Sequence, residues 1–287
     1  MSETIARPAP IADRLPPHAW FLVSAVFHYL GPGFAVLLFA RLDPAGVAWL
    51  RIATAGLVFA AWRRPWRPLA ALSRRDQATV AALGVVLALM NTAFYEAIAR
   101  LPLATVGAIE FLGPIGVAAM GLRTPRNFGA LLLAVAGVAI LTNVRLAGEP
   151  LGYVFAFANC ALFVAYILLG RRISTSGGGV DRLASAMLVA AIAALPFGFR
   201  DALPAFADPL LMAAAAGVGV SSSVIPYVCD QLALRRLPVA SFALLLSLLP
   251  ASAAVIGFLV LRQLPAPVEV LAILLVIAGV ALHRSEG

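Results

Sequence analysis

The apolar residues of this chain fall into ten blocks, each close to the length that an α-helix needs to cross the hydrocarbon core of a bilayer. The blocks are residues 19–40, 45–62, 79–99, 103–122, 127–144, 151–170, 183–199, 209–229, 238–260 and 267–283. The polar links between them are short, so none of them forms a separate soluble domain. The pattern therefore predicts an all-α polytopic membrane protein with ten transmembrane helices.

One stretch of the chain occurs twice. Residues 95–121 align with residues 231–257 at a fixed offset of 136. The matched positions include Leu101-Pro102 with Leu237-Pro238, Ala104 with Ala240, Pro114 with Pro250 and Gly121 with Gly257. A duplicated half in a polytopic membrane protein is typical of secondary transporters.

Ten helices divide into two halves of five, predicted to be residues 19–144 and residues 151–283. After five crossings the second half begins on the opposite face of the membrane, so the two halves must be inverted relative to each other. Inverted halves supply two states of similar energy, one open to each side, which is the basis of alternating access. The alternative is that the duplication only builds a stable bundle.

Composition agrees with a membrane protein, because 62% of the residues are apolar, 12% are charged and the mean hydropathy is +0.98. The net charge of +8 comes from 21 basic residues, all of them arginine. With the N-terminus inside, the cytoplasmic loops carry fifteen arginines and the outer loops five, which fits the positive-inside rule. The charge thus indicates topology, with both termini cytoplasmic, and not a nucleic-acid partner. Residues 1–18 are polar and proline-rich, show no signal-peptide pattern and are predicted to be a cytoplasmic tail.

Prolines inside predicted spans mark candidate hinges. Pro114 and Pro250 lie at matched positions of the two halves, and Gly31-Pro32 interrupts the first span. A proline within a helix frees a carbonyl and bends the helix, so each site is either a hinge or a static kink.

Two charged residues lie well inside predicted spans, away from the span ends. Glu110 is seven residues into the fourth span and Arg51 about six into the second. At 1.5 Å per residue both would lie roughly 10 Å below the outer membrane boundary. A charge at that depth needs a partner or a proton. We therefore expect an Arg51–Glu110 ion pair in at least one transport state, while a proton-carrying or substrate-binding role for Glu110 remains the alternative.

Polar and aromatic residues also recur inside the spans. Asn91 and Tyr95 share one helix face and match Tyr227 and Gln231 in the second half. The other members of this set are His28, Tyr29, Asn159, Phe163 and Tyr166. Singly, each is explained by packing or by an interhelical hydrogen bond. Together with Glu110 they predict a substrate pocket with polar groups for one end of a ligand and rings for the other.

The remaining chemistry-bearing residues suggest no cofactor. Cys160 and Cys229 lie in or at the edge of apolar spans and are expected to be free thiols. No cluster of histidine and cysteine has the spacing of a metal site. We predict neither a metal nor a cofactor.

The chain resembles the drug/metabolite transporter superfamily, in its EamA-type group of ten-helix carriers, and especially the bacterial amino-acid exporters. The stretches that carry the resemblance are LRIATAGLVFAAWRRPWR from Leu50, MNTAFYEAIARLPLATVGAIEFLGP from Met90 and IPYVCDQLALRRLPVASF from Ile225. The resemblance implies an inverted repeat, a central cavity, the bacterial inner membrane and export of neutral or aromatic amino acids.

The chain departs from these relatives at two acidic positions. Many relatives carry a glutamate just before the proline of the ninth span, where Leu249 stands here. Many also have a Leu-Gly-Glu pattern after that span, where Leu261-Arg262-Gln263 stands here. A coupling role of those acids does not transfer, and proton coupling, exchange and facilitated diffusion remain open.

Two other functions are alternatives to amino-acid export. Efflux of cationic drugs is the alternative within transporters, favoured if Glu110 is free of Arg51. An intramembrane enzyme is disfavoured because Gly219-Val-Ser-Ser-Ser lacks the second glycine of a GxSxG motif, and no aspartate-rich metal motif is present. The expected partners are a small-molecule substrate and the lipid bilayer.

Overall fold

The described part of the chain folds entirely into helices. In a computed structural model, residues 16–121, 124–145, 149–175, 178–237 and 248–282 are described. The helices are α1 (Pro17–Leu38), α2 (Pro44–Arg63), α3 (Trp66–Ala71), α4 (Arg74–Ile98), α5 (Leu103–Gly121), α6 (Pro125–Arg145), α7 (Pro150–Thr175), α8 (Gly179–Ala193), α9 (Leu195–Phe206), α10 (Pro209–Gly219), α11 (Ile225–Leu234), α12 (Leu248–Leu261) and α13 (Pro267–Leu282). A π-helical turn, Val220–Val224, joins α10 to α11. The all-α polytopic class is confirmed.

Five of the described helices are long and apolar enough to cross a membrane, and a sixth span results if α8 and α9 are counted together. The five are Ala19–Leu38, Pro44–Arg63, Arg74–Ile98, Pro150–Thr175 and Pro209–Leu234. Shorter apolar helices include Leu103–Gly113, Ser252–Leu261 and Pro267–Gly279. The count of ten therefore stays a prediction. The tail to residue 15 and residues 238–247 of the second repeat copy lie outside the described residues.

The seventh predicted span, residues 183–199, is not one straight helix. Helices α8 and α9 meet at Ala194 with a bend of 81°. Pro196 stands in the first turn of α9, where it has no N–H for the helix ladder and its ring clashes with the carbonyl four residues earlier. The Trp49 side chain of α2 donates to the Ala191 carbonyl at 3.2 Å and packs edge-on against Phe199 at 5.2 Å. The bend is thus held against α2.

Helices α4 and α5 of the first predicted half pack on the second half in the way that their counterparts pack on the first half. Helix α4 packs on α7 as its counterpart α11 packs on α1. Helix α5 packs on α7 as its counterpart α12 packs on α1. The division into repeats, residues 19–144 and 151–283, remains a prediction. The packing is of the kind that such a division predicts.

Small residues allow the closest helix contacts. A Cβ added at Gly137 of α6 would lie 2.5 Å from the Ala272 carbonyl oxygen of α13, so only glycine permits this approach. Gly31 of α1 lies against the π-helical turn, where a Cβ would fall 2.8 Å from the Ser222 Cα. Pro32 lies within α1. The first helix therefore sits tightly against the irregular turn of the eighth predicted span.

The end of α12 contains a strained residue. Arg262 has a φ of 53°, in the left-handed region that glycine prefers. Its N–H donates to the Phe258 carbonyl at 3.1 Å, and the Gln263 N–H donates to the Gly257 carbonyl at 3.0 Å. The bond from residue 262 to residue 258 is that of an αL-type helix end, in which glycine is the usual residue at the left-handed position.

We predict that Arg262→Gly stabilises the protein by about 1 kcal/mol, because glycine adopts this backbone conformation without steric cost. The measurement is thermal unfolding in detergent. Arg262→Ala is the matched control, since it removes the same side chain but keeps the strain. Equal stabilisation by both variants would mean that the backbone conformation is not responsible.

Candidate functional site

A small cavity lies among six of the helices. Its volume is about 10 Å³, close to the minimum that holds one water molecule. The lining residues are His28 of α1, Arg51 of α2, Met90, Asn91 and Phe94 of α4, Glu110 of α5, Asn159 of α7 and Tyr227 of α11. Five of these, His28, Asn91, Glu110, Asn159 and Tyr227, belong to the predicted substrate-binding set, and Arg51 was predicted as the partner of Glu110.

Glu110 is buried at one side of this cavity and is bound by neutral groups. The Tyr29 hydroxyl donates to Oε2 at 2.7 Å, and the Asn159 amide donates to Oε1 at 2.9 Å. The His28 ring approaches Oε2 with Nε2 at 3.9 Å. Among the described residues, Asn159 Oδ1 has no hydrogen-bond partner although it is buried. The carboxylate and this amide oxygen together present acceptors at the cavity.

Arg51 faces the cavity from α2 and is held by α11 and the π-helical turn. Its Nε donates to Ser223 Oγ at 2.7 Å and its Nη2 to the Ser222 carbonyl at 2.6 Å. Pro226 has no N–H, so the carbonyl of Ser222, four residues earlier, lacks its helical donor. The guanidinium supplies that donor. It also lies over the Tyr95 and Tyr227 rings, 5.3 and 5.9 Å from their centroids.

The expected direct ion pair is not formed in this conformation. Arg51 and Glu110 are both described, and no guanidinium nitrogen comes within 4.0 Å of the carboxylate oxygens. Each group is instead hydrogen-bonded to neutral partners, Arg51 to Ser222 and Ser223 and Glu110 to Tyr29 and Asn159. Opposite charges therefore line one cavity without neutralising each other by contact.

Asn91 and Tyr227, which the offset of 136 aligns, contact each other. The Asn91 amide donates to the Tyr227 hydroxyl at 3.1 Å, and that hydroxyl lies 3.3 Å from Asn91 Oδ1. A contact between equivalent residues is expected where a pseudo-two-fold axis passes. The second aligned pair, Tyr95 and Gln231, is not in contact with this one in the same way. The Tyr95 ring lies against the Arg51 guanidinium, and Gln231 lines another pocket.

Gln231 does not share the cavity with Asn91 and Tyr227, and Tyr95 is not part of the cavity lining either. It lines a separate pocket of about 380 Å³ with Arg63, Ser174, Asp181 and Arg235. Gln231 lies one helical turn beyond Tyr227 along α11, and its side chain therefore lies outside the cavity. Both polar atoms of the buried Gln231 amide have no hydrogen-bond partner among the described residues. A further pocket of about 400 Å³ lies at Arg100, Pro102, Gln263 and Glu269.

Tyr166 and Phe163 of α7 lie outside the cavity lining. The Phe163 ring packs against His28 and Tyr166, each at 5.8 Å between centroids. The Tyr166 hydroxyl donates to Asp230 Oδ2 at 2.8 Å. Ser24 of α1 donates to the other carboxylate oxygen of Asp230 at 2.5 Å. The predicted substrate-binding set does not include Asp230, because its place near the end of the eighth span indicates an interfacial residue; the structure buries it instead.

The hinge candidates are only partly described. Gly31 and Pro32 lie in α1 as discussed, and the backbones of Pro114 and Pro250 lie within α5 and α12. Their role as hinges stays a prediction. The irregular backbone near the site is instead the π-helical turn Val220–Val224. Among the described residues, no group of three or more metal-ligating side chains is present.

Comparisons with known proteins agree on one family. Residues 150–284 match the model of the EamA-like transporter family. The threonine/homoserine exporter RhtA of Escherichia coli (strain K12) is 32% identical over 256 residues, covering 87% of this chain and 84% of the relative. RhtA of Salmonella typhimurium (strain LT2) matches equally. A solved crystal structure at 19% identity shares the fold, with a TM-score of 0.61 over 92% of this chain and 97% of that one.

The partners of the two charges predict how stability responds to their removal. We expect Glu110→Gln to lower the free energy of unfolding by about 1–3 kcal/mol, because Arg51 keeps its hydrogen bonds to Ser222 and Ser223. Arg51→Met should cost more, about 2–5 kcal/mol, because it strands the Ser222 carbonyl and leaves Glu110 without a nearby cation. Unfolding in detergent measures both, with Leu57→Ala on the exposed face of α2 as the control.

The double variant Arg51→Met with Glu110→Met tests the same geometry. A broken ion pair would regain stability when both partners become apolar. Here the Ser222 carbonyl stays without a donor, so the double variant should remain as unstable as Arg51→Met. Recovery of stability would show that the two charges pair directly in the folded protein.

Proposed function

This chain belongs to the EamA-like transporter family of the drug/metabolite transporter superfamily, and from that membership we propose that it exports small neutral amino acids across the bacterial inner membrane. It is a multi-pass membrane protein of a small-metabolite exporter family. The observation that carries the finer proposal is the presence of Arg51 and Glu110 in one cavity, each held by neutral groups and not by the other.

A zwitterion suits this distribution of charge. The substrate carboxylate would bind Arg51 and the Tyr227 hydroxyl, which already lie 3.5 Å apart. The ammonium group would bind Glu110 and Asn159 Oδ1, the buried oxygen that has no partner among the described residues. The side chain would contact Met90 and Phe94. Because a buried charge is costly unless paired, a ligand with both charges gains more here than a ligand with one.

The size of the cavity supports a cycle in which the site opens and closes. About 10 Å³ is too small for any amino acid, so helices must separate before one binds. We propose that the two halves, residues 19–144 and 151–283, move against each other to expose the site to each side in turn. The pockets beside Arg235 and beside Arg100 are the proposed routes from the two faces.

Efflux of cationic drugs is the alternative substrate class. Glu110 is free of direct contact with Arg51, which by itself favours a cation. The guanidinium nevertheless lines the same small cavity, and an organic cation bound there would face its charge in a low dielectric. We therefore favour a zwitterion. An enzymatic role has no support from the family or the relatives, which are transporters.

Counterflow with purified protein in liposomes tests the function. We expect vesicles loaded with threonine to take up labelled threonine without any ion gradient, while phenylalanine and tryptophan inside the vesicles report on aromatic substrates. A monovalent organic cation is the comparison. Counterflow of the cation with none of any amino acid would reject the proposal in favour of drug efflux.

Asn159→Ala should raise the half-saturating threonine concentration by about 5- to 150-fold, equivalent to about 1–3 kcal/mol for one lost partner of a charged group. Phe157→Ala is the matched control, since Phe157 is on the exposed face of the same helix. If both variants transport like the unaltered protein, the ammonium group binds elsewhere.

The proposed orientation has cytoplasmic termini and is tested by cysteine labelling in intact cells. Ala40→Cys follows α1 at the proposed outer face, and Ala71→Cys ends α3 at the inner face. Both positions are exposed, and the native Cys160 and Cys229 are buried, so background labelling should be low. An impermeant maleimide should label Ala40→Cys at once and Ala71→Cys only after permeabilisation. The reverse order would invert the topology.

A further inference from the structure

A second buried carboxylate, Asp230, joins three helices away from the central cavity. It is 1% exposed on α11. The Ser24 hydroxyl of α1 donates to Oδ1 at 2.5 Å, and the Tyr166 hydroxyl of α7 donates to Oδ2 at 2.8 Å. Both carboxylate oxygens therefore accept from hydroxyl groups, and each hydroxyl comes from a different neighbouring helix.

No cation balances this carboxylate. In the portion of the chain that the structure describes, no arginine or histidine nitrogen lies within 4.0 Å of its oxygens. The titratable groups that face it are Tyr166 from α7, and Tyr227 and Cys229 from its own helix, while α1 contributes only Ser24. A fixed negative charge in such surroundings is expensive inside a membrane protein.

The Ser24 hydroxyl can form a hydrogen bond with Asp230 in either protonation state of the carboxyl group. Ser24 Oγ lies between Asp230 Oδ1 at 2.5 Å and the Pro226 carbonyl at 3.3 Å. When Asp230 is ionised, Ser24 donates to it. When Asp230 carries a proton, it donates to Ser24 Oγ, and the Ser24 hydrogen turns to the Pro226 carbonyl. A hydroxyl makes this change by rotation about one bond, and no donor or acceptor is left unsatisfied.

Glu110 lacks this arrangement. One of its two donors is the Asn159 amide, whose NH₂ group donates and cannot accept. A proton on Oε1 would require the amide to turn over. A proton on Oε2 would turn the Tyr29 hydrogen away from Glu110, and the described contacts of Tyr29 include no second acceptor of the kind that Pro226 gives Ser24. Glu110 also shares its cavity with Arg51, which favours a charged carboxylate there. The two buried acids are therefore adapted to different tasks.

Asp230 also lies between two spaces. Tyr227, one turn earlier on α11, lines the central cavity. Gln231, the next residue, lines the pocket with Arg235 and points an unpartnered amide into its surroundings. The Tyr166 ring, 5.4 Å from the Tyr227 ring, connects the acid to the cavity wall. Asp230 itself lines neither space, but its neighbours on α11 line both.

We propose that Asp230 is the residue that binds and releases a proton during the transport cycle, so that a proton gradient drives substrate movement. This inference rests on the proposed export function. The proton comes from water on one side, bonds to a carboxylate oxygen of Asp230 and leaves to water on the other side, with no other bond made or broken. Ionised Asp230 holds α1 and α7 to α11 through two charge-assisted hydrogen bonds, and protonation weakens that attachment.

The test measures protons directly. Purified protein in weakly buffered detergent is mixed with threonine while a pH dye reports proton release. The unaltered protein should release about one proton per bound threonine, and Asp230→Asn should release none. Glu110→Gln, the matched variant at the other buried acid, should still release protons at a threonine concentration that restores binding. Proton release by Asp230→Asn equal to that of the unaltered protein would overturn the proposal, as would loss of release in Glu110→Gln alone.

Liposome transport separates this inference from the proposed function. Asp230→Asn should retain threonine counterflow without a gradient but lose accumulation driven by a pH gradient. If the unaltered protein shows no counterflow, the export function itself fails. If counterflow is present but a sodium gradient and not a pH gradient drives accumulation, only the proton site is rejected.

A second variant covers the case in which Asp230→Asn does not fold. Ser24→Ala keeps the carboxyl group but removes the hydroxyl that serves both protonation states. It should release protons with a shifted pH dependence and shift the carboxyl band in infrared difference spectra recorded with and without threonine. An unchanged band and an unchanged pH profile in Ser24→Ala would contradict the assignment.

Discussion

The bond from the Arg51 guanidinium to the Ser222 carbonyl is the interaction on which the centre of this protein depends. Pro226 breaks the hydrogen-bond ladder of the eighth predicted span and leaves that carbonyl without a helical donor. A backbone group that is deprived of its donor in an apolar bundle must find another. Arg51 provides one from α2 and fixes the depth of the guanidinium in the bundle. Ser223 and Tyr227 contact the same guanidinium, and Gly31 packs against Ser222.

This anchoring explains why opposite charges coexist in a small cavity. A direct Arg51–Glu110 pair would satisfy both groups and leave little for a ligand to bind. In the structure the cation is satisfied by the π-helical turn, and the anion by a tyrosine and an asparagine. Each charge keeps a face toward the cavity. Neutral partners of this kind stabilise a buried charge without cancelling it, so both charges remain available to a ligand of complementary polarity.

The two buried acids differ in the kind of partner that surrounds them. Glu110 lies with Arg51 at a cavity wall, whereas Asp230 lies among hydroxyl groups at the junction of α1, α7 and α11. Helices α1 and α7 are equivalent in the proposed repeat, so Asp230 touches both halves at once. A carboxyl group at such a junction links its own protonation to the contact between the halves.

Much of the architecture was determined by the sequence alone. Apolar blocks with short links required a helical membrane protein, because a backbone in lipid must satisfy its own hydrogen bonds. The offset of 136 also aligns Asn91 with Tyr227, and the structure brings these two residues into contact. The buried charges Arg51 and Glu110 were recognised as a site for the same reason: charge inside an apolar helix is costly.

Only the tertiary structure decided how these groups are paired. The positions of Arg51 and Glu110 along their helices predict the same depth in the membrane. The direction of each side chain around its helix axis determines its partners, and these differ. Gln231 lies one helical turn beyond Tyr227 and lines a different pocket, and Asp230 lies between Ser24 and Tyr166. The 81° bend before Pro196 likewise depends on Trp49 of another helix. A single sequence specifies the period of a helix, whereas its rotation and its neighbours are set by the packing of the whole bundle.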